Sequence, residues 1–317
     1  MITPALGSPI MWVGFLAFVL AMLALDLGVF HRKAHVVTMR EALTWSVVWV
    51  ACSLSFGGLI HWLYGAERAI EFITGYAIEK SLAVDNIFVF VAVFGAFAVP
   101  AAYQHRVLFW GVLGALLMRA AFIFAGASLI ARFHWVLYVF GVLLVLTGVK
   151  MLVQRNQVAE DPSQTRFVAW LRRTVPSTDG YRGDRFMVVE GGRRLATPLL
   201  FVLIIIEIAD LIFAVDSIPA IFAVTNDPFI VFTSNIFAIL GLRSMYFLLA
   251  DIVPRFVYLK TGLALVLVFV GVKMSIVDVF KVPTLLSLGV IVMLVGGAIG
   301  LSLWRVKADP AASQLQP

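Results

Sequence analysis

The sequence predicts an all-α protein, a polytopic membrane helical bundle, on the evidence of its composition and its apolar runs. Hydrophobic residues make up 62% of the chain and charged residues only 13%, about half of what a soluble domain carries. The apolar runs are about twenty residues long, the length at which a helix crosses the hydrocarbon. They show no alternation over about ten residues, so an outer-membrane barrel is not expected.

About nine runs are long enough to be transmembrane spans. They are expected roughly over residues 11–30, 42–64, 72–95, 106–130, 134–153, 196–222, 228–250, 256–279 and 283–304. The first run is not expected to be a secretory signal, because nothing basic precedes it and His31, Arg32 and Lys33 follow it directly. It predicts an anchor whose N-terminus lies outside.

The basic residues between the spans support that orientation. With the N-terminus outside, Arg68, Arg132, Lys273 and Lys281 face outward, whereas all the basic residues of the 154–195 loop lie in the cytoplasm. Cytoplasmic loops carry such an excess of Lys and Arg. The C-terminus is therefore predicted to be cytoplasmic as well.

The 154–195 loop is the one sizeable water-exposed segment, and its strong basic charge is interpreted as a topology signal rather than as a site for a specific partner. Within it, TRFVAWLRR predicts a short interfacial helix with Phe167, Trp170 and Leu171 facing the lipid and with anionic headgroups around its arginines. Further on, the Gly191-Gly192 pair predicts the turn of a small hairpin.

Two acidic stretches lie inside apolar runs, where each charge costs at least a few kcal/mol. They are EKSLAVDN, from Glu79 to Asn86, and EIADLIFAVDS, from Glu207 to Ser217. Each contains Ala-Val-Asp with another carboxylate six positions before the aspartate, so that Glu79 precedes Asp85 and Asp210 precedes Asp216. We take these carboxylates as the candidate site.

The similarity between the two stretches continues downstream as an internal repeat. Its landmarks are Gly114, Arg119 and TGVKM (147–151) in the first copy, and Gly241, Arg243 and VGVKM (270–274) in the second. Spans three to five thus match spans six to eight, and because three is odd, the second copy enters the membrane from the opposite side. Inverted repeats are common in secondary transporters, which bind substrate where the copies meet. A duplication retained only for folding is the alternative, and it leaves the repeated carboxylates unexplained.

These features predict one membrane domain that fills the chain. Its parts are repeat one (72–153), the basic cytoplasmic loop (154–195), repeat two (196–279) and a polar tail (308–317) that is expected to be disordered.

The acidic stretches offer oxygen ligands, which suit hard divalent cations such as Mn²⁺, Mg²⁺ and Ca²⁺. The candidate metal ligands are Glu79, Asp85, Asn86, Glu207, Asp210 and Asp216, and the further candidate contributors are Asp26, Lys80, Ser217, Asn235, Arg119 and Arg243. Cysteine is not near the site, since the chain holds one, Cys52, and the five histidines lie at span ends. A zinc or copper site and thiol redox chemistry within one chain are therefore disfavoured, and no prosthetic group is expected.

The six-residue spacing puts Glu79 and Asp85 about 120° apart on an ideal helix, and the same holds for the second pair. Either each carboxylate faces a different neighbour or the helix unwinds between them. We expect unwinding, because broken helices complete ion coordination in transporters and because Pro219 removes a backbone hydrogen bond from the second stretch.

The basic residues within the spans allow another interpretation. Lys80, Arg119 and Arg243 could pair with the carboxylates as purely structural salt bridges, and Lys80 could instead occupy the ion position when no metal is bound. Asn235, a predicted buried amide, could serve either helix packing or the site.

Four segments together resemble the TerC family of integral membrane proteins. They are DLGVFHRKAH, GYAIEKSLAVDNIFVF, EIADLIFAVDSIPAIFAVT and GLRSMYFLL, and the resemblance extends over nearly the whole chain. It implies a nine-span protein of the bacterial inner membrane, related to LysE-like exporters and associated with manganese export, the alkaline pH response and, by name, tellurium resistance. The family's acidic residues then correspond to Glu79 and Asp85 in the first stretch and to Glu207, Asp210 and Asp216 in the second.

The favoured function is export of a divalent cation, with Mn²⁺ as the transported ion, by alternating access and with a proposed coupling to protons. The alternative is a membrane protein that does not transport but delivers metal to exported proteins, or modulates their redox state or maturation. An enzyme is disfavoured, since the chain has no HExxH motif, no Gly-rich phosphate loop and no Ser paired with a His base.

Overall fold

The structure is a computed structural model that describes residues 6–28, 38–133, 135–153, 165–250 and 258–308. Within these ranges it describes every side chain except those of residues 25–28, 85, 167, 172 and 306–308. The side chains of Asp26 and Asp85 and the tail predicted to be disordered from residue 309 onward therefore lie outside the described residues.

The described residues form eleven α-helices and one two-stranded antiparallel sheet. In chain order the elements are α1 (Pro9–Gly28), α2 (Met39–Tyr64), α3 (Ala66–Ala96), α4 (Ala101–Arg132), α5 (Val136–Val153), α6 (Arg166–Thr174), β1 (Met187–Glu190), β2 (Arg193–Ala196), α7 (Pro198–Phe222), α8 (Pro228–Leu240), α9 (Leu242–Leu249), α10 (Leu259–Ser275) and α11 (Thr284–Ala308).

The predicted class is confirmed: the chain is a polytopic helical membrane protein. Each predicted span coincides with a helix, and the seventh is made of α8 and α9, which meet at Gly241. In the described part of the chain, six helical segments are long and apolar enough to cross a membrane. They are Met39–Tyr64, Ala101–Arg132, Val136–Val153, Pro198–Phe222, Pro228–Leu249 and Thr284–Arg305. The count of nine spans and the inverted repeat remain predictions.

Local sequence signals set the helix boundaries next to the site. The Asp227 carboxylate caps α8 by accepting hydrogen bonds from the backbone N–H groups of Phe229 at 2.9 Å and Ile230 at 3.2 Å. Pro228 occupies the first turn of the same helix, where its missing N–H costs nothing. These two residues fix the start of α8, after the turn that follows Phe222 at the end of α7.

The basic loop contains both elements that the sequence predicts. Strands β1 and β2 pair across Gly191 and Gly192, whose φ angles of 58° and 74° suit a primed turn. Helix α6 is also present, but the predicted lipid-facing position of Leu171 is wrong. Its side chain is 6% exposed and belongs to an apolar cluster with Leu199 of α7, whereas Trp170 is 57% exposed. The side chain of Phe167 is outside the described residues.

Helices α3 and α7, which carry the two acidic stretches, run antiparallel to each other. Near the start of α3, Glu71 accepts a hydrogen bond from Thr225, which follows the end of α7. Further along α3, Asn86 donates to Asp210, which lies at the middle of α7. An antiparallel pair of equivalent helices is what an inverted repeat requires.

Helices α5 and α10, which carry the two GVKM motifs, are also antiparallel and touch at glycines. A Cβ on Gly148 would lie 2.7 Å from the carbonyl oxygen of Ala264, and a Cβ on Gly271 would lie 2.6 Å from that of Gly141. Gly148 is equivalent to Gly271 in the repeat, and Gly141 is then equivalent to Ala264. The two contacts therefore exchange under a two-fold rotation, which supports the inverted repeat. Small residues let the backbones approach this closely.

We expect Gly271→Ala to lower the free energy of unfolding by about 1–3 kcal/mol, because the added methyl meets backbone atoms that cannot swing away. The measurement is thermal unfolding of the purified protein in detergent. Gly58→Ala on α2 is the control, since a Cβ there meets nothing within 4 Å and alanine favours a helix. Equal midpoints for the two variants would contradict the close crossing.

Candidate functional site

Five polar side chains from three helices meet in the interior of the bundle. Glu79 and Asn86 stand seven positions apart on α3, and Asp210 and Ser217 stand seven apart on α7, so each pair shares one helix face. Arg119 projects from α4 between them. None of the five is more than 4% exposed. Charged groups this deep in a membrane bundle are costly unless they are paired.

The guanidinium of Arg119 is the centre of this group, and it joins both helices. It donates to Asp210 through two atoms, from Nη2 to Oδ1 at 2.8 Å and from Nε to Oδ2 at 3.2 Å. Its Nη1 donates to Oε1 of Glu79 and to Oγ of Ser217, the latter at 3.3 Å. The Nδ2 group of Asn86 adds a hydrogen bond to Oδ1 of Asp210 at 3.2 Å. We call these five residues the Arg119 network.

The Arg119 network matches the predicted repeat. Glu79 and Asp210 are the upstream carboxylates of the two acidic stretches, and Asn86 and Ser217 are the residues that directly follow their aspartates. Two pairs of equivalent positions therefore face each other across one arginine. The network lies where the two halves of the repeat would meet.

Two acceptor oxygens of the network have no hydrogen-bond partner among the described residues. They are Oε2 of Glu79 and Oδ1 of Asn86, and both are buried. Leaving a buried acceptor unpaired costs about 1–3 kcal/mol. Two such oxygens can ligate a cation or accept hydrogen bonds from a donor, whereas both oxygens of Asp210 are already engaged.

A cavity of about 580 Å³ opens beside the network. Its polar lining includes Glu79, Asn86, Arg119, Thr147, Lys150, Asp216, Ser217 and Lys260. Lys150 lies in the last turn of α5 and Lys260 in the first turn of α10, so the cavity extends from that end of the bundle to the buried charges. On its wall, Thr147 donates from Oγ1 to Oδ1 of Asp216 at 3.1 Å.

A larger cavity of about 1080 Å³ lies toward the opposite ends of α3 and α7. Its lining includes Glu71 and Phe222, and Oε2 of Glu71 accepts hydrogen bonds from Arg68 at 2.8 Å and from Thr225 at 2.9 Å. Glu71 precedes Glu79 by eight residues, or about 12 Å along α3. The smaller cavity reaches the network, whereas no residue of the network lines the larger one.

The predicted unwinding of the acidic stretches is wrong. Helix α3 is continuous from Ala66 to Ala96, and α7 is continuous through Pro219. In α7 each carboxylate instead faces a different neighbour: Asp210 faces Arg119, and Asp216 turns toward Thr147 of α5. Different neighbours thus satisfy the two carboxylates without a break in the helix.

The structure does not bring the five predicted ligands whose side chains it describes together in one set. Among the side chains it describes, no three from His, Cys, Asp and Glu are grouped closely enough to hold a metal ion. Glu207 packs against Gly114 rather than toward the cavity, and its Oε2 has no described partner. Asp85, for which the structure describes only the backbone, stays a prediction, as does Asp26.

The other predicted contributors are distributed around the network. Lys80 donates to the carbonyl oxygen of Ala238 at 3.3 Å, so it does not occupy the position between the carboxylates that Arg119 takes. Asn235 on α8 is fully buried, and both of its amide atoms lack a described partner. Arg243 is buried on α9 and does not line the cavity.

Thr147 is the site residue that the sequence reasoning missed as a functional candidate. In the sequence it stands out only as part of the TGVKM landmark, although the second copy carries Val270 at the equivalent position. A polar residue in one copy where the other is apolar is the signal that could have identified it. The basic residues at the cavity mouth, Lys150 and Lys260, carry no comparable signal.

The fold and the network define an integral membrane protein with a buried charged site between α3, α4 and α7. The chain belongs to the integral membrane protein TerC family, whose family model matches residues 64–309, and this confirms the resemblance. It is 58% identical over 314 residues to an uncharacterized membrane protein, STKORF319, of Myxococcus xanthus, covering 99% of this chain and 98% of that protein.

The chain is also similar to proteins with a functional name. It is 51% identical over 297 residues to a protein of Escherichia coli K12 named "Putative membrane-bound redox modulator Alx", covering 90% of this chain and 91% of that protein. An uncharacterized membrane protein of Rickettsia bellii is 42% identical over 283 residues, covering 89% and 93%. No solved structure matches the chain.

We expect Asp210→Asn to destabilise the protein by about 3 kcal/mol or more, because it breaks a buried pair and leaves the guanidinium half neutralised. Thermal unfolding in detergent measures the loss. Asp216→Asn is the comparison, since Asp216 is only partly buried and holds a single described hydrogen bond, and its loss should be clearly smaller. Similar losses in the two variants would show that the Arg119 network does not hold the helices together.

Proposed function

We propose that the protein exports a divalent cation, with Mn²⁺ as the favoured ion, by alternating access around the Arg119 network. One observation carries the proposal. Two buried acceptor oxygens, Oε2 of Glu79 and Oδ1 of Asn86, have no described donor, and both residues line a cavity that opens at one end of the bundle. Unpaired oxygens beside a cavity would suit a desolvated cation as ligands.

The chemistry of the cavity wall favours a hard cation. Carboxylate, amide and hydroxyl oxygens come from Glu79, Asn86, Asp216 and Thr147, and all four residues line the same cavity. Oxygen ligands of this kind suit Mn²⁺, Mg²⁺ and Ca²⁺. The reaction is movement of the ion itself, so the metal is cargo rather than a cofactor.

The two cavities support an alternating cycle. With the N-terminus outside, in the inner membrane, the smaller cavity opens to the cytoplasm and the larger one to the exterior. The described conformation then admits an ion from the cytoplasm, while the Glu71–Thr225 hydrogen bond and Phe222 lie on the outward path. Outward opening would expose the same carboxylates to the exterior. Proton uptake by one of them there would release the ion and couple export to the proton gradient.

In the proposed orientation, the basic segment with its exposed Trp170 and arginines faces the cytoplasmic leaflet, where anionic headgroups would attract it.

We infer that the chain is not an enzyme, because the network offers no activated nucleophile and its guanidinium cannot act as a base.

Cells that carry Asp216→Asn in place of the wild-type protein should accumulate manganese and become more sensitive to it, at normal protein abundance. The variant removes a charge from the cavity wall without breaking the Arg119 network. Cellular metal content, measured by mass spectrometry, and growth on added Mn²⁺ are the readouts. Glu190→Gln, on the exposed hairpin, serves as control and should behave as wild type. Unchanged manganese content in the Asp216→Asn cells would remove the transport proposal.

The second candidate is a membrane protein that does not transport, but delivers metal to exported proteins or modulates their redox state. The name of the Escherichia coli relative favours it. A redox role by thiol exchange within the chain is disfavoured, because Cys52 is its single cysteine.

Reconstitution into liposomes separates the two candidates. The purified exporter should move Mn²⁺ into vesicles that trap a manganese-sensitive dye, with no other protein present. A delivery partner would leave the dye signal unchanged until a client protein or the secretory machinery is added. The dye signal of the purified chain alone therefore decides between them.

A further inference from the structure

Arg119 is a charged group whose role a cation exporter does not explain by itself. A guanidinium keeps its proton under all ordinary conditions, so this positive charge stays in the site throughout a cycle. It lies between two carboxylates, Glu79 and Asp210, at the site where the proposed exporter binds its cation. A permanent cation at that place competes with the cargo.

The contacts of Arg119 are unequal. Asp210 is held by a two-point fork, from Nε and Nη2, and its Oδ1 takes a further hydrogen bond from Asn86. Glu79 is held by Nη1 alone, through Oε1, and its second oxygen is unpartnered. Fork pairs are the stronger and more rigid kind of contact. Glu79 is therefore the carboxylate that can change partner, while Asp210 fixes the position of the arginine.

The cavity shows where a competing cation would arrive. Glu79, Asn86 and Arg119 line it, whereas Asp210 does not. An ion that enters along the cavity would reach Glu79, whose buried Oε2 has no described partner, while Arg119 still holds Oε1. The exchange of Glu79 between two cations then needs a small side-chain movement and no rearrangement of α3 or α7.

We propose that Arg119 is a tethered counter-cation: it neutralises Glu79 while the site is empty, and the arriving divalent ion takes Glu79 from it. The inference rests on the proposed function and adds to it a named competitor for the cargo. Asp210 acts as a positioning residue that keeps the displaced guanidinium in place. The empty carrier can then reset without exposing two bare carboxylates to the membrane interior, and the nearby positive charge keeps the ion from being held too tightly to leave.

Replacement of Arg119 should change the affinity for Mn²⁺ and the rate of Mn²⁺ transport in opposite directions. In Arg119→Gln, we expect the Kd for Mn²⁺ to fall about tenfold or more, because a unit charge a few ångströms from the ion is lost. The rate of Mn²⁺ transport into proteoliposomes should fall at the same time, since release and the empty return both become harder. Titration calorimetry with MnCl₂ alone and the trapped-dye assay measure the two quantities on the full chain. Arg132→Gln, at the exposed end of the same helix, is the matched control and should keep wild-type values.

A second variant covers the case in which Arg119→Gln does not fold. Arg119→Gln combined with Asp210→Asn removes one charge of each sign, so it keeps the net charge while still freeing Glu79. It should also bind Mn²⁺ more tightly than wild type. A folded variant with unchanged or weaker Mn²⁺ binding, beside a wild type that transports, overturns this inference alone. A wild type that moves no Mn²⁺ overturns the proposed function and this inference with it.

The loaded wild type supplies a test that depends on no variant. In a structure determined with bound Mn²⁺, Glu79 should contact the ion and no longer Arg119, while both Arg119–Asp210 hydrogen bonds persist. A loaded structure in which Arg119 still holds Glu79 contradicts the exchange.

Discussion

The energetic cost of a buried charge organises this protein. An arginine and two carboxylates lie in the middle of a bundle whose other interior residues are mainly apolar, and each would be strongly unfavourable alone. They are tolerated because the guanidinium of Arg119 reaches Glu79 and Asp210 together. The positions of α3, α4 and α7 are tied to one another by these contacts. Any change that separates the charges must supply a replacement cation or open the site to water.

The predicted inverted repeat would account for the geometry of this arrangement. Glu79 and Asp210, which hold equivalent positions in the two acidic stretches, meet across the arginine, and the two GVKM helices cross antiparallel at their glycines. Both contacts are what two oppositely inserted copies would produce. The arginine itself departs from that symmetry, because Arg119 joins both copies while Arg243 lies on α9, away from the cavity. A site in which one arginine lies between a carboxylate from each half suits a carrier whose halves move against each other.

The sequence was sufficient for the class of fold and for part of the site. Composition and run length predict the bundle, and the cost of a carboxylate in a membrane singles out Glu79, Asp210 and Asp216. It was not sufficient to identify the basic residue that pairs with these carboxylates. Arg119, Lys80 and Arg243 are equally plausible cations along the chain, and the distances between spans that decide among them have no signal in one sequence. The unwinding prediction failed because it counted six positions between carboxylates, whereas the faces are formed by residues seven apart. Thr147 was interpreted only as part of a repeat landmark, and one sequence does not show that it meets Asp216 of another helix.

Location of the transported ion tests the central claim most directly. Crystals of the protein grown with Mn²⁺ and measured on both sides of the manganese absorption edge give an anomalous difference map of the bound ion. The account predicts one strong peak in the smaller cavity, at oxygen-ligand distance from Glu79 and Asn86. A map with no peak there, in crystals with Mn²⁺ bound elsewhere on the protein, would contradict it.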